Sequence, residues 1–261
     1  MLRTPVAGWV PSAVIGGSTR GELTRSGQFL ARLAVTDRQR DAVYRLWFRV
    51  FNLELNEGLD SAYLSGRDVD EFDQFCDHIL IEDSAGEIIG TYRVQPGTVA
   101  LRALGFYSEQ EFQFAPYRAI SDKIVELGRA CILREYRSYE VLALLWRAVA
   151  LYAKLQGAQY LIGCSSVTSQ DPDVGWAMYR KLRCREVPED LATVPTWRFA
   201  MPEPTGRDLD VRIPKLLRAY LGVGARICGP PALDREFKTI DFLTLLDIES
   251  MSATARAHFF G

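Results

Sequence analysis

Lys123-Ile124-Val125-Glu126-Leu127-Gly128-Arg129-Ala130-Cys131-Ile132 is an apolar run with a carboxylate, a glycine and an arginine through its centre. Charge in the middle of a buried strand is costly unless it is paired or used. A short basic turn, Arg134-Glu135-Tyr136-Arg137-Ser138, comes next. After it, Val141, Leu144, Leu145, Ala148, Leu151, Tyr152 and Leu155 recur at helical spacing until Gly157 stops the run. The strand reads as the floor of an active site, and the rest of the chain as its walls.

Strand side chains alternate faces. Ile124, Glu126 and Gly128 would share one face; Val125, Leu127 and Arg129 the other. A bulge around Gly128 would bring Glu126 and Arg129 to the same side, since a glycine inside a strand often marks a bulge or a close backbone approach. A bulged strand splays from its neighbour and exposes N–H and C=O groups. Such a gap accepts an extended amide-bearing ligand, such as phosphopantetheine, as if it were another strand. The helix N-terminus after the basic turn is a natural anion site, reinforced by Arg134 and Arg137. The turn is not glycine-rich, however, and a plain charged surface turn accounts for it equally well.

Outward from this unit, residues 1–27 read as a loose, flexible arm rich in Gly, Ser, Thr and Pro, without the compact apolar core of a signal peptide. Gln28–Val35 suits a first strand, and Thr36-Asp37 offers an N-cap. Val43, Leu46, Trp47, Val50 and Phe51 then share a helical face that fades near Asn56-Glu57-Gly58. The 58–75 loop holds Asp68, Asp70, Glu71 and Asp73. It is either a solvated loop with Asx turns or a cation-binding lip for an amine; it lacks the glycine and distal glutamate of a calcium loop. Cys76–Asp83 and Glu87–Gln95, the latter carrying Gly90 and Arg93, form a hairpin. Phe106–Phe112 reads as a short helix, its aromatics lining a tunnel or packing the core. Ala158–Ser165 is a further strand, and Asp171-Pro172-Asp173 opens a helix to about Leu182. A short helix at Lys215–Leu221, a final hairpin-like pair through Thr239–Leu246 and a frayed tail at 251–261 complete the chain. Strands alternating with helices mean an α/β fold with a mixed sheet flanked by helices, one domain over 28–250.

The chain has 261 residues and a formal net charge of -2, which argues against a nucleic-acid binder. Its five cysteines are scattered without a C-x-x-C pair, as expected of buried, reduced thiols in the cytosol. No zinc pattern is present, so no metal is expected. No apolar run reaches the ~18 residues of a spanning helix.

The pieces Phe48-Arg49-Val50-Phe51, Asp70-Glu71-Phe72-Asp73, Gly90-Thr91-Tyr92-Arg93-Val94, Phe106-Tyr107-Ser108, Glu126-Leu127-Gly128-Arg129, Leu145-Trp146-Arg147 and Tyr160-Leu161-Ile162-Gly163-Cys164-Ser165-Ser166 recur in family order across roughly residues 28–250. In them the chain resembles the GNAT-type acyltransferases that use acyl carrier protein. Within that group it is most similar to the ornithine-lipid N-acyltransferases, long called hemolysin-like, and more distantly to acyl-homoserine-lactone synthases. The resemblance implies a GNAT fold with a splayed, bulged central strand. It implies acyl transfer from a carrier-protein thioester to an amino acid's α-amino group, with ornithine the leading acceptor. It also implies functional roles for Asp70, Asp73, Arg93, Glu126 and Arg129. Two departures stand out. Trp47 replaces the basic residue that relatives often carry before the R-V-F motif, and the Arg134–Ser138 turn lacks the glycines of coenzyme A-binding relatives, which favours a carrier protein.

On this reading Glu126 is the general base for the α-ammonium. Arg129 pairs with Glu126 or holds the substrate carboxylate, as Arg93 could. Asp70 and Asp73 attract the amine, and N–H groups of the bulged strand polarise the thioester. Cys131 and Ser165 join the substrate-binding candidates. Tyr179 resembles the helix tyrosine of acetyltransferases that protonates the leaving thiolate. Arg134, Arg137 and Arg147, with Lys154 and the cations at 180–185, would meet an acidic carrier protein around the pantetheine entrance. No bound cofactor is expected, only the acyl-4′-phosphopantetheine of acyl carrier protein as co-substrate. The expected location is cytoplasmic. A membrane-seeking product leaves room for peripheral contact at the inner membrane face, with the amphipathic Ile213–Val223 as one candidate. Competing readings are another amino-acid acceptor (glycine, lysine, glutamine or tyrosine), a lactone synthase, a coenzyme A-dependent acetyltransferase and a non-catalytic lipid binder.

Overall fold

The computed structural model describes residues 21–207 and 209–260. In chain order the strands are β1 (Glu22–Ser26), β2 (Phe29–Leu33), β3 (Asp77–Glu82), β4 (Ile88–Pro96), β5 (Ile124–Ile132), β6 (Tyr160–Val167), β7 (Arg226–Ile227), β8 (Ala232–Asp234) and β9 (Thr239–Asp247). The α-helices are α1 (Asp37–Trp47), α2 (Gly97–Ala100), α3 (Tyr139–Leu155), α4 (Pro172–Leu182), α5 (Lys215–Val223) and α6 (Ala253–Phe260). The strands form one mixed sheet in the order β1-β2-β3-β4-β5-β6-β9-β7, with β8 also on β9. Only β5 and β6 run parallel, as their helical crossover α3 requires.

Local chemistry sets the element ends. Thr36 caps α1: its side chain accepts from the Gln39 N–H, and Gln39 reaches back to the Thr36 N–H, a capping box. The helix then widens into a π-helical segment, Phe48–Glu54. Ser138 caps α3 through the Val141 N–H. Neighbouring residues of β3 show which helix covers which face. Asp77 accepts from Tyr152 of α3 at 2.7 Å, whereas the rings of Trp47 and Tyr44 of α1 pack on His78. Alternation therefore puts α3 on one face and α1 on the other.

A bulge is present in β5, one residue later than expected. Thr91 pairs with Cys131 and Arg93 with Gly128, so Arg129 and Ala130 together oppose Tyr92. Arg129, not Gly128, takes the positive φ, at 53°. The bulge brings the Arg129 side chain to the α1 face, with Arg93, Gln95 and Glu126. On the other side of β5, the parallel ladder ends at Glu126–Ile162. Beyond it the two strands part. At the apex the Leu127 carbonyl approaches the Gly163 backbone so closely that a β-carbon on Gly163 would lie 2.1 Å from it.

Both ends of the chain depart from expectation. The arm expected through residue 27 is not loose at its far end: Glu22–Ser26 is strand β1, antiparallel to β2, while residues 1–20 lie outside the described residues. The expected frayed tail is α6, packed on α3 with the Phe259 ring 5.3 Å from Trp146, and Met251 is buried just before it. The short helix expected over Phe106–Phe112 is confined to one 3-10 turn, Tyr107–Glu109, between buried aromatics. Leu217 and Leu221 of α5 face the core, so the apolar side of Ile213–Val223 is spent on packing and does not form an exposed membrane-facing stripe.

The two glycines of the splay should respond differently to a methyl group. Gly163→Ala forces the Leu127 carbonyl away and should destabilise the protein by about 1–3 kcal/mol. At Gly128 the nearest contact of a new β-carbon is 3.6 Å, so Gly128→Ala should cost much less. Equilibrium urea unfolding of both variants checks this.

Candidate active site

Five charged groups behind the bulge form a buried ion network. Arg93 Nη1 bonds Asp70 Oδ2 at 2.6 Å and Asp73 Oδ1 at 3.1 Å. Arg129 bonds Asp68 through Nη2, and its Nη1 lies 3.3 Å from Asp70 and 3.9 Å from Asp73. Burial works against the charges of Asp70, Asp73, Arg93 and Arg129, and the opposite charges beside each favour its ionised form. Next to Arg93 and Arg129 the Asp70 carboxyl falls below its ordinary value, while deeper burial leaves Asp73 above it. Both arginines titrate even higher than usual. The Arg129 guanidinium lies over the Trp47 ring at 4.4 Å and near Phe237 at 5.1 Å, and Trp47 Nε1 donates to the Arg129 carbonyl at 2.9 Å. Trp47 thus holds the bulge in place.

In front of this network a cavity of about 270 Å³ opens at the splay of β5 and β6. Glu126 lines it, 5% exposed. Its Oε2 accepts from the Tyr107 N–H at 2.8 Å, and its Oε1 accepts from the Ser108 N–H at 2.8 Å and the Ser108 hydroxyl at 2.5 Å. Burial raises the Glu126 pKa, and these three donors moderate the rise. A carboxylate has about four lone-pair sites, so Oε2 keeps room for a substrate N–H. Gly128 matters here for what it lacks: with no side chain, it leaves the Nε and Nη2 edge of Arg93 uncovered. Arg129 Nε and both polar atoms of Gln95 are buried without a partner, and both residues line the cavity. A second, apolar cavity of about 60 Å³ shares Tyr92, Leu127, Ser165 and Tyr220 with the first. It continues on the α3 face between Trp146, Val149, Leu246 and Phe259.

The structure gathers Glu126, Arg129, Arg93 and Ser165 around these cavities; the Ser165 hydroxyl pairs with that of Thr244 at 3.0 Å. Other candidates fall elsewhere. Asp70 and Asp73 do not form a lip facing the substrate: they sit behind the arginines with their oxygens already bonded. Arg129 pairs with Asp68 and Asp70, and not with Glu126. Cys131 is buried opposite Thr91 and lines neither cavity, because the bulge lies between it and Glu126. Tyr179 is outside both cavities too; its hydroxyl donates to Glu186 at 2.5 Å, and burial and that carboxylate push its pKa up to about 12. Arg134 and Arg137 share Glu54 beside the α3 N-terminus, while Arg147 stands more than two turns further along α3. The cavity also holds carboxylates that sequence reasoning missed: Glu57, Glu111, Asp234 and Asp241. Asp241 alone carried a signal, as a charge inside an apolar strand.

A family model described as an acetyltransferase (GNAT) domain matches residues 46–147, the segment that contains the ion network, the bulge and most of α3. An L-ornithine N(alpha)-acyltransferase of Agrobacterium fabrum is 30% identical over 268 residues, covering 96% of this chain and 92% of its own. One of the same name from Brucella abortus is 30% identical over 88% of both chains. The chain belongs to the L-ornithine N(alpha)-acyltransferase family. Like that family it is an acyltransferase of GNAT type. Its fold is shared with the AHL synthase LasI, at a TM-score of 0.54 and 14% identity, covering 90% of this chain and 96% of that one. FeeM, an N-acyl amino acid synthase from uncultured soil microbes, also gives 0.54 at 14% identity, covering 87% and 95%. No described helix is long and apolar enough to cross a membrane.

Removing one partner of a buried ion pair leaves the other charge uncompensated. Arg129→Met should therefore destabilise this acyltransferase by about 3–5 kcal/mol, with Asp68 left alone. Adding Asp68→Asn should recover part of that loss. A double-mutant cycle in urea measures the coupling.

Proposed function

We propose that this acyltransferase moves a fatty acyl group, 3-hydroxylated in the leading case, from acyl carrier protein to the α-amino group of ornithine, giving a lyso-ornithine lipid. The observation that carries the reading is the splay of β5 from β6, with a buried carboxylate and two arginines on one side and an apolar cavity on the other. The relatives' names supply the acceptor. The α-carboxylate pairs with the open edges of Arg93 and Arg129. Glu126 takes a proton from the α-ammonium, and the free amine attacks the thioester carbonyl. The C–N bond forms and the C–S bond breaks; of the two protons the nitrogen gives up, one reaches the departing thiolate through Glu126 and the other leaves to solvent. The pantetheine amides run along the unpaired edge of β5, whose N–H groups polarise the carbonyl. The acyl chain lies in the apolar cavity.

An acyl carrier protein as donor is supported by the Arg134–Ser138 turn, which has arginines but no glycine to cradle a pyrophosphate. The carrier's acidic surface would meet Arg134 and Arg137 there, with Arg147 further along the helix. The protein would work in the cytoplasm, touching the inner membrane face only to release its product.

Thiol release from 3-hydroxyacyl carrier protein and from acyl-coenzyme A, each with a panel of amino acids and with product mass read directly, tests the reading. Ornithine-dependent release from the carrier protein, giving an amide, is expected; turnover with coenzyme A thioesters alone would overturn the donor. Glu126→Gln should fall by at least a hundredfold in kcat with the fold intact. A base must be ionised, and burial raises the Glu126 pKa. The wild-type kcat/KM should therefore fall on acidification at a pH above the ordinary glutamate range. A rate still level as pH drops through that range would remove the base assignment.

A further inference from the structure

Glu111, Asp234 and Asp241 converge at the β8–β9 side of the main cavity. One carboxylate oxygen from each lies within 4.8 Å of the others, and all three residues are buried. Asp234 is partly satisfied by the Glu236 and Phe237 N–H groups at 2.8 and 3.0 Å, and Asp241 Oδ2 by the Thr239 hydroxyl at 3.0 Å. Cys164 lies beside Glu111, and Ser166 beside Asp241. Glu111 Oε2 and Asp241 Oδ1 have no partner, although their residues are 1% and 3% exposed and line the cavity. Among the described residues no Lys or Arg pairs with the three; Glu57, Glu126 and Glu236, which also act on them, are acidic. Burial, and then the neighbouring carboxylates, push Glu111 well above its usual range, and burial takes Asp241 to about 7. Three buried carboxylates facing one another across a cavity, with no cationic side chain paired to them among the described residues, would take a cation favourably.

Resting on the reading above, we propose that Glu111, Asp234 and Asp241 bind the side-chain ammonium of a diamino acid and so select ornithine over acceptors with uncharged side chains. The cavity is then bipolar. Arg93 and Arg129 take the α-carboxylate, Glu126 takes the α-ammonium proton, and the triad takes the far ammonium across three methylenes. An ammonium brings three N–H donors to three carboxylates. A hard divalent cation would complete its shell with water on the same three carboxylates, and a chelator distinguishes it from an ammonium. An acceptor without the side-chain charge would leave the triad unpaired, which is how a buried polar site rejects an analogue.

The test compares ornithine with norvaline, the same carbon chain without the terminal amine. For the wild type, ornithine should exceed norvaline by at least about a hundredfold in kcat/KM. Asp241→Asn and Glu111→Gln should each lower ornithine kcat/KM at least tenfold, mainly through KM, while norvaline gains, so that the ratio collapses. Neither substitution should lower the melting temperature at pH 8, because each spares the fold the cost of holding a carboxyl whose pKa burial has raised. In unliganded protein the advantage of Asp241→Asn should grow from pH 5 to pH 8. A carboxyl with a raised folded pKa loses its stabilising contribution as pH rises from its ordinary 3.8 through about 7. Calorimetric binding of ornithine and norvaline without acyl donor separates the two hypotheses. If ornithine binds in an Asp241-dependent way but is never acylated, the acyl-transfer reading fails and the site stands. If ornithine is acylated and both substitutions leave the ratio unchanged, the site assignment falls. Loss of activity with a chelator and its return with a divalent ion would also overturn it, in favour of a metal.

Discussion

Two arginines and three aspartates, buried together behind a strand bulge, set the geometry on which the site depends. Taking such charges out of water is repaid only when the partners are held in good register. Arg129 has to reach Asp68 and Asp70 from β5, and a regular strand would point it the other way. The bulge, with Arg129 at positive φ, is the backbone's answer, and Trp47 clamps it by bonding the Arg129 carbonyl and stacking on its guanidinium. The same bulge ends the regular path of β5 just beyond Glu126, where β6 departs. The ion network and the opening of the sheet are thus two sides of one distortion.

This arrangement separates roles that the residue types alone do not distinguish. Asp70 and Asp73 are chemically the same as Asp234 and Asp241. The first pair is already neutralised by guanidinium groups and therefore holds those groups in place. The second pair and Glu111 have no such partner and stay open to the cavity. Which carboxylate is scaffold and which is available for binding is decided by the location of the arginines.

The β3–β4 hairpin, the strands β5 and β6 and the helix between them were legible from periodicity and turn residues. So were Glu126 and Arg129, because a charge inside an apolar strand has to be accounted for. The same rule applies to Asp241, between Ile240 and Phe242, but that strand read only as part of a final hairpin-like pair. Its approach to Glu111 is a contact between segments 130 residues apart, which no local pattern encodes. The bulge position was missed by one residue because glycine permits a positive φ, whereas here tertiary pairing imposes it on an arginine. Tyr179 fitted a motif by its place on a helix, and helical spacing does not say which wall of the domain that helix builds. The aspartate loop stayed ambiguous for a related reason: its carboxylates look solvated until β4 and β5 deliver the two arginines.

The hydroxyls of Tyr92 and Tyr220 meet at 2.6 Å where the two cavities join, and Tyr220 stacks on Trp146, which in turn touches Phe259. A row of rings therefore runs from the central sheet to the last helix of the chain. The loops before β5 and the Asp234–Asp241 end of the β8–β9 hairpin wall only the polar chamber, α3 and Phe259 of α6 wall only the apolar one, and α5 lines both. Under the acyl-transfer reading, the two halves of the product are gauged by separate parts of the polypeptide. Drift in the C-terminal helix can then retune the length of fat without touching the choice of amino acid, and membrane composition becomes adjustable at a surface far from the chemistry.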